Sequence, residues 1–218
     1  MFVANSIAGG IRNAPDRHRL SALAGILFAM VAVMSLGTQA AHAQDWASIA
    51  GGERRIVFYA PNLSDKTRRS HARVTADKQT RQEVSIWRNM SKGKSVSGIF
   101  LSEILGDRHY RATTSLRKVT KTWNFFNGRN LRFGKKHSTG NKVDIVYYII
   151  VTADKFNCII FHQYLGIAIH DGTSAGISYL EGYYCVGENE VISDQEAKWI
   201  VRLIGVKGVG VPDRPPAE

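Results

Sequence analysis

Many apolar positions after residue 44 fall in short runs with strand-like alternation or composition, and three stretches admit a helical period. Arg55-Ile56-Val57-Phe58-Tyr59-Ala60 is a β-type run stopped by Pro61-Asn62. Asp65 to Lys78 is polar and basic with almost no apolar period, and reads as a loop or an exposed helix start. Gln79 to Met90 admits a helix burying Val84, Trp87 and Met90, although Val84 and Ile86 also fit alternation. Ser97 to Leu105 reads as a strand closed by Gly106-Asp107.

From Ser115 the period changes. Leu116, Val119, Trp123 and Phe126 share one helical face, Thr114 can cap the start, and Gly128 can end the helix with positive φ. Arg117, Lys118, Lys121 and Phe125 project from the other side. Phe125 either packs against the following segment or anchors a basic contact surface. Arg132-Phe133, Lys142–Thr152, Phe156–Gln163, Leu165–His170 and Ile177–Val186 read as strands, with turns at Gly140-Asn141 and Ala153-Asp154-Lys155. Ser193-Asp194-Gln195-Glu196 is a capping box opening a helix over 194–204, with Ala197, Ile200, Val201 and Ile204 as its apolar stripe and Gly205 as its end. From Val206 onward the chain reads as a tail, with a flexible proline-containing end at 209–218. The expectation is an α+β fold: a single domain over 44–208, mainly antiparallel sheet, covered by two or three helices.

Residues 1–43 stand apart. Arg12, Arg17, His18 and Arg19 precede an apolar run from Leu20 to about Leu36, and Ala41-His42-Ala43 follows. A basic flank, an apolar stretch and an A-x-A site make a secretory signal cleaved after Ala43, with an uncleaved anchor over Leu20–Leu36 as the alternative. The protein is then exported, periplasmic or secreted. Two cysteines remain, Cys158 and Cys185, 27 residues apart, and in an oxidising compartment they are expected to form a disulfide.

Charge is divided along the chain. The whole sequence carries +11, but Glu53 to Lys142 holds 21 basic and 6 acidic residues, whereas Val143 to Glu218 holds 5 basic and 10 acidic. Such asymmetry suits a polyanionic partner. For an exported protein that partner is an anionic envelope component (a lipid head group, lipopolysaccharide or an acidic polysaccharide) or an acidic protein, rather than nucleic acid. Membrane contact would be at the surface only. The candidate anion-binding residues are Arg117, Lys118, Lys121, Arg129, Arg132, Lys135 and Lys136. A solvated basic surface, partly neutralised by the acidic half, is the plainer reading.

Motifs of chemistry are scarce. Gly172-Thr173-Ser174-Ala175-Gly176 has the G-x-S-x-G spacing of a nucleophile elbow. An elbow needs a helix after it and a histidine later in the chain. The following residues are β-rich, and no histidine occurs after His170. Ser174 is therefore read as a loop residue between two antiparallel strands. Ser91–Gly98 carries a Gly-Lys-Ser, but Arg88 stands where a phosphate-binding loop needs glycine. No catalytic residue, metal site or cofactor is assigned. The signal, the strand carrying Cys158, the segment Leu180–Cys185 (LEGYYC) and the terminal helix together resemble small exported bacterial proteins of unknown function, a resemblance that implies no activity or site. The expected function is a non-enzymatic periplasmic or envelope-associated protein that binds an anionic surface or partner through its basic segment. The alternative is a small exported hydrolase acting on envelope material.

Overall fold

Alternation, not helical period, governs the middle of the chain. From Thr80 to Asn89 the side chains of Arg81, Glu83, Ser85 and Trp87 turn to one face of a strand, and those of Gln82, Val84, Ile86 and Arg88 to the other. The structure is a computed structural model that describes residues 45–89, 94–105, 110–111, 115–140, 145–170 and 173–209, with side chains for all of these except 110–111, 167–170 and 173–176. The signal segment 1–43, the Thr114 cap, the turns at Gly106-Asp107 and Asp171-Gly172, Asn141 and the end of the chain after Val209 lie outside the described residues. The described residues fall within one compact unit, Ala43–Glu218.

The strands are β1 (Ala47–Ser48), β2 (Ile56–Phe58), β3 (Arg68–Val74), β4 (Thr80–Asn89), β5 (Ser95–Ile104), β6 (Tyr110–Arg111), β7 (Leu131–Thr139), β8 (Val146–Ala153), β9 (Phe156–His170), β10 (Thr173–Gly187) and β11 (Ile204–Val206). Among the described residues two α-helices join them, α1 (Leu116–Thr122) and α2 (Asp194–Arg202). One antiparallel sheet has the order β1-β3-β4-β5-β10-β9-β8-β7, with β6 also paired to β10, and β2 pairs with β11 as a separate small sheet.

The α+β expectation is thus corrected. The fold is all-β in character, and the two helices are only seven and nine residues long. Gln79–Met90, read as a possible helix, is β4, and Asp65–Lys78 contains a short 3-10 turn at Asp65–Thr67 followed by β3. The expected 114–127 helix stops at Thr122, because Trp123 adopts an extended backbone (φ −110°, ψ 117°) and Asn124–Phe126 winds as a 3-10 turn. Gly128 has the positive φ its position required, +73°. Ser193 caps α2, its hydroxyl accepting from the Glu196 N–H at 3.2 Å. Gly205, however, lies inside β11, and Val206, expected in a tail, is fully buried there. β9 runs through Gly166 as one 15-residue strand, with a local φ of +66° and no loss of register against β10.

The two faces of the sheet carry different cores. On one, α2, β2 and β11 cover Ile99, Leu101, Ile159, Phe161, Leu180 and Tyr184. On the other, α1 and the 3-10 turn after it cover Val96, Ile149, Val151, Ile160 and Tyr183. Cys158 and Cys185 are direct register partners on β9 and β10, bonded to each other and fully buried in the second core.

A buried charged network fastens β2 to the main sheet. Glu83 has no exposed surface, and its carboxylate accepts from the backbone N–H groups of Arg55 (2.8 Å) and Ile56 (3.3 Å) and from Arg68 Nη2 and Arg81 Nη2 (each 3.2 Å). Arg68 Nη2 also donates to the Ile56 carbonyl at 3.0 Å, and its guanidinium lies 4.6 Å from the Trp87 ring centre. Burial pulls the Arg68 pKa below its usual value, while Glu83 and Asp65 oppose that shift.

Candidate ligand groove

The groove on the α1 face begins with a missing side chain. A Cβ on Gly98 of β5 would lie 2.6 Å from both Trp123 Cζ3 and Tyr183 Cε1. Trp123 therefore settles where only glycine leaves room, which is why the helix ends there and the chain turns across the sheet. Tyr183 becomes the centre of an aromatic cluster. Its ring meets Trp123 and Phe126 edge-on at 5.2 and 5.1 Å, and stacks on Phe125 at 5.0 Å with 14° between planes. Phe125 also meets Phe156 edge-on at 5.3 Å. Phe125 packs into this cluster and is not a free apolar anchor.

Arg129 is folded back over the cluster. Its Nε donates to the Phe125 carbonyl at 2.6 Å, its guanidinium lies 4.6 Å from the Phe125 ring centre and 5.3 Å from that of Phe156, and Nη1 reaches Asp154 at 3.7 Å. Between Arg129 and the β4–β5 hairpin lies a groove of about 600 Å³. Its walls are Ile86, Val96, Trp123, Phe125, Phe156 and Tyr183, with Thr122, Asn124 and the cations Arg88, Lys94 and Arg129. No acidic residue and no histidine is among its described lining residues. Burial pushes the Tyr183 phenol up to about 12, against the pull of Arg88 and Arg129, so it stays neutral at ordinary pH. A neighbouring cavity of about 410 Å³ shares Lys94 and Phe156 and adds Lys155, Glu188 and Glu190.

The seven basic candidates do not meet at one place. Arg129 lines the groove. Arg117 lies over Phe133 at 4.9 Å and Lys136 over Tyr147 at 4.6 Å, both on the α1 face towards the β7 edge. Lys118 and Lys121 are exposed on the outer side of α1. Arg132 pairs in register with Thr152 and turns to the opposite face, and Lys135 sits in the bulge between Phe133 and Lys136. Sequence reasoning missed Arg88 and Lys94. The signal was present, since Val84, Ile86 and Arg88 alternate with Glu83, Ser85 and Trp87. Ser174, expected in a loop, is paired with Ile169 inside β10, and the strand continuing after it confirms that the elbow geometry is absent.

A second cluster surrounds His162 on the same face. Its ring stacks with Tyr147 at 5.3 Å and meets Tyr164 edge-on at 5.9 Å. Both ring nitrogens are buried without a hydrogen-bond partner among the described residues. Burial, with Lys136 nearby, lowers the His162 pKa to about 4. Beside it Glu181 accepts from the Tyr179 hydroxyl and, at 2.9 Å, from Thr122. None of the His, Cys, Asp and Glu side chains among the described residues forms a group of three that could hold a metal ion.

The fold and groove define an all-β, disulfide-bonded domain with a cationic, aromatic-floored groove on one sheet face. The disulfide indicates an oxidising, exported location, and no described helix is long and apolar enough to cross a membrane. No family model matches the chain, and neither a curated protein nor a solved structure does.

Proposed function

We propose that this is an exported, non-enzymatic binding protein for an anionic ligand or partner, and that the contact is made in the groove rather than on the outer side of α1. The observation that carries the reading is the groove's composition: three cations over an apolar floor, with no carboxylate or histidine among the described lining residues. Such a wall can hold an anion but offers no general base or nucleophile–base pair. The alternative of an envelope hydrolase finds no support there, nor in the cavities beside Glu188 and Asp65, whose described linings lack histidine. The partner would be a lipid head group, a lipopolysaccharide phosphate, an acidic polysaccharide or an acidic protein. Residues 1–43 direct export and are removed in the course of it, and sequencing the N-terminus of the exported protein should give Gln44 first.

The binding test is co-sedimentation with anionic and neutral vesicles, alongside calorimetry with an acidic polysaccharide, each at low and high salt. Binding should require the anion and fall steeply with salt. Arg88→Glu with Lys94→Glu should abolish it, and Lys118→Glu with Lys121→Glu should leave it nearly intact. The reverse pattern would move the contact to the helix. Salt-independent binding to neutral vesicles would refute the electrostatic reading.

A further inference from the structure

We infer that the groove takes a free, single-chain anionic amphiphile, with its alkyl chain along the floor and its carboxylate, phosphate or sulfate head between Arg88 and Lys94. The inference rests on the proposed anion-binding role and narrows the ligand class.

The floor decides between a flat and a flexible apolar group. A sugar ring or a base binds aromatic residues through an open ring face. Phe125 is already engaged: Tyr183 stacks on its ring at 5.0 Å and the Arg129 guanidinium lies over it at 4.6 Å. Arg129 also lies over Phe156, and Trp123 is wedged against Tyr183 above Gly98 with 9% of its surface exposed. What remains is ring edges together with Ile86 and Val96. An alkyl chain is suited to that surface, because its burial is non-directional and needs area, not a face.

The rim decides the charge and its place. Arg129 is already committed to Asp154 and to the Phe125 carbonyl. Arg88 and Lys94 are exposed and have neither an ion-pair nor a hydrogen-bond partner among the described residues. They are the free cations at the groove, so the head group belongs with them and Arg129 roofs the chain. The volume of about 600 Å³ lies in the range that encloses a drug-sized ligand.

The experiment is calorimetric titration of the purified exported protein with decanoate, decylamine, decanol and inorganic phosphate, with vesicles of phosphatidylglycerol as a further arm. Decanoate should bind at one saturable site, decanol and decylamine at least about tenfold more weakly, and phosphate without saturation in the same range. Arg88→Glu with Lys94→Glu should cost decanoate at least about tenfold and leave decanol unchanged. Phe156→Ser should weaken decanoate and decanol alike, and melting curves of both variants show whether the fold survives. Phosphate binding as tight as decanoate, lost in the charge-reversed variant, would overturn the amphiphile while leaving the anion-binding role intact. Vesicle binding with no decanoate binding would likewise overturn the free ligand in favour of a membrane head group. Decylamine binding as tight as decanoate, or no binding of any probe, would overturn both.

Discussion

Glu83 provides the sharpest test of how this sheet is held together. Its carboxylate is fully buried, accepts two backbone N–H groups from the start of β2, and faces Arg68, whose side chain is 4% exposed. Glu83→Ala leaves Arg68 as a buried cation short of its main partner and removes the acceptor from Arg55 N and Ile56 N. Breaking a buried ion pair from one side costs about 3–5 kcal/mol, and each orphaned buried donor about 1–3, though the contributions of one network do not add. The expected loss is therefore at least about 3 kcal/mol, a large part of the roughly 5–15 kcal/mol that holds a domain together. Glu83→Gln should lose less, because its amide oxygen still serves one backbone donor. The decisive variant replaces both partners, Glu83→Leu with Arg68→Met, and should recover part of the loss because no unpaired charge is left inside. Urea unfolding followed by circular dichroism, with the disulfide intact, gives the three values. A Glu83→Ala loss below about 1 kcal/mol, or a double variant no more stable than Glu83→Ala, would refute the reasoning.

Gly98→Ala should destabilise by about 1–3 kcal/mol through overpacking, and should shift the emission of Trp123, since the new methyl lies 2.6 Å from its ring. His162 has a folded-state pKa of about 4 against an ordinary 6.5, so the unfolded chain takes up its proton first as pH falls. Its contribution, about 3 kcal/mol, is complete above pH 6.5 and is lost between there and pH 4, and His162→Phe should remove that part of the slope in melting curves taken across the window. Replacing Cys158 and Cys185 together with alanine should cost about 3–4 kcal/mol for a 27-residue loop, read as a shifted urea midpoint. Arg132→Val with Lys135→Val should leave the protein folded but promote its association, visible in light scattering, because those charges guard the edge of β7 that has no partner among the described residues.

The sequence was most legible where a strand has one apolar and one exposed face, or where local chemistry sets an end. The β8–β9 turn, the Cys158–Cys185 pairing, the Ser193 cap and the positive φ of Gly128 are of this kind. It misled where the buried side of a strand is polar. β3 and β4 bury Arg68, Ser70, Glu83 and Ser85, so β3 shows no apolar period and β4 only the short Val84–Ile86 alternation, with which a helical spacing of Val84, Trp87 and Met90 competes. Residue types there are explained only by partners far along the chain, such as Glu83 with the backbone of Arg55 and Ile56. The length of α1 was illegible for the same reason. Trp123 fits the helical stripe in sequence, and only the vacancy above Gly98, on another strand, draws it out of the helix.

The basic half of the chain divides by the same logic. A cation in sequence is a charge, but its role depends on what the fold puts beside it. Arg68 and Arg81 are spent inside on Glu83 and Glu103, and Arg55 joins Glu103 from the side of β2. Arg132 and Lys135 stand on a strand whose outer edge has no partner among the described residues, where charge discourages another strand from docking. Arg117 and Lys136 lie over aromatic rings, where their charge is already partly satisfied. After these commitments, the cations that line the aromatic groove without a partner among the described residues are Arg88 and Lys94. A count of basic residues along a segment weights all of these equally. Affinity for an anion does not, because a charge already neutralised by the fold has little left to give a ligand.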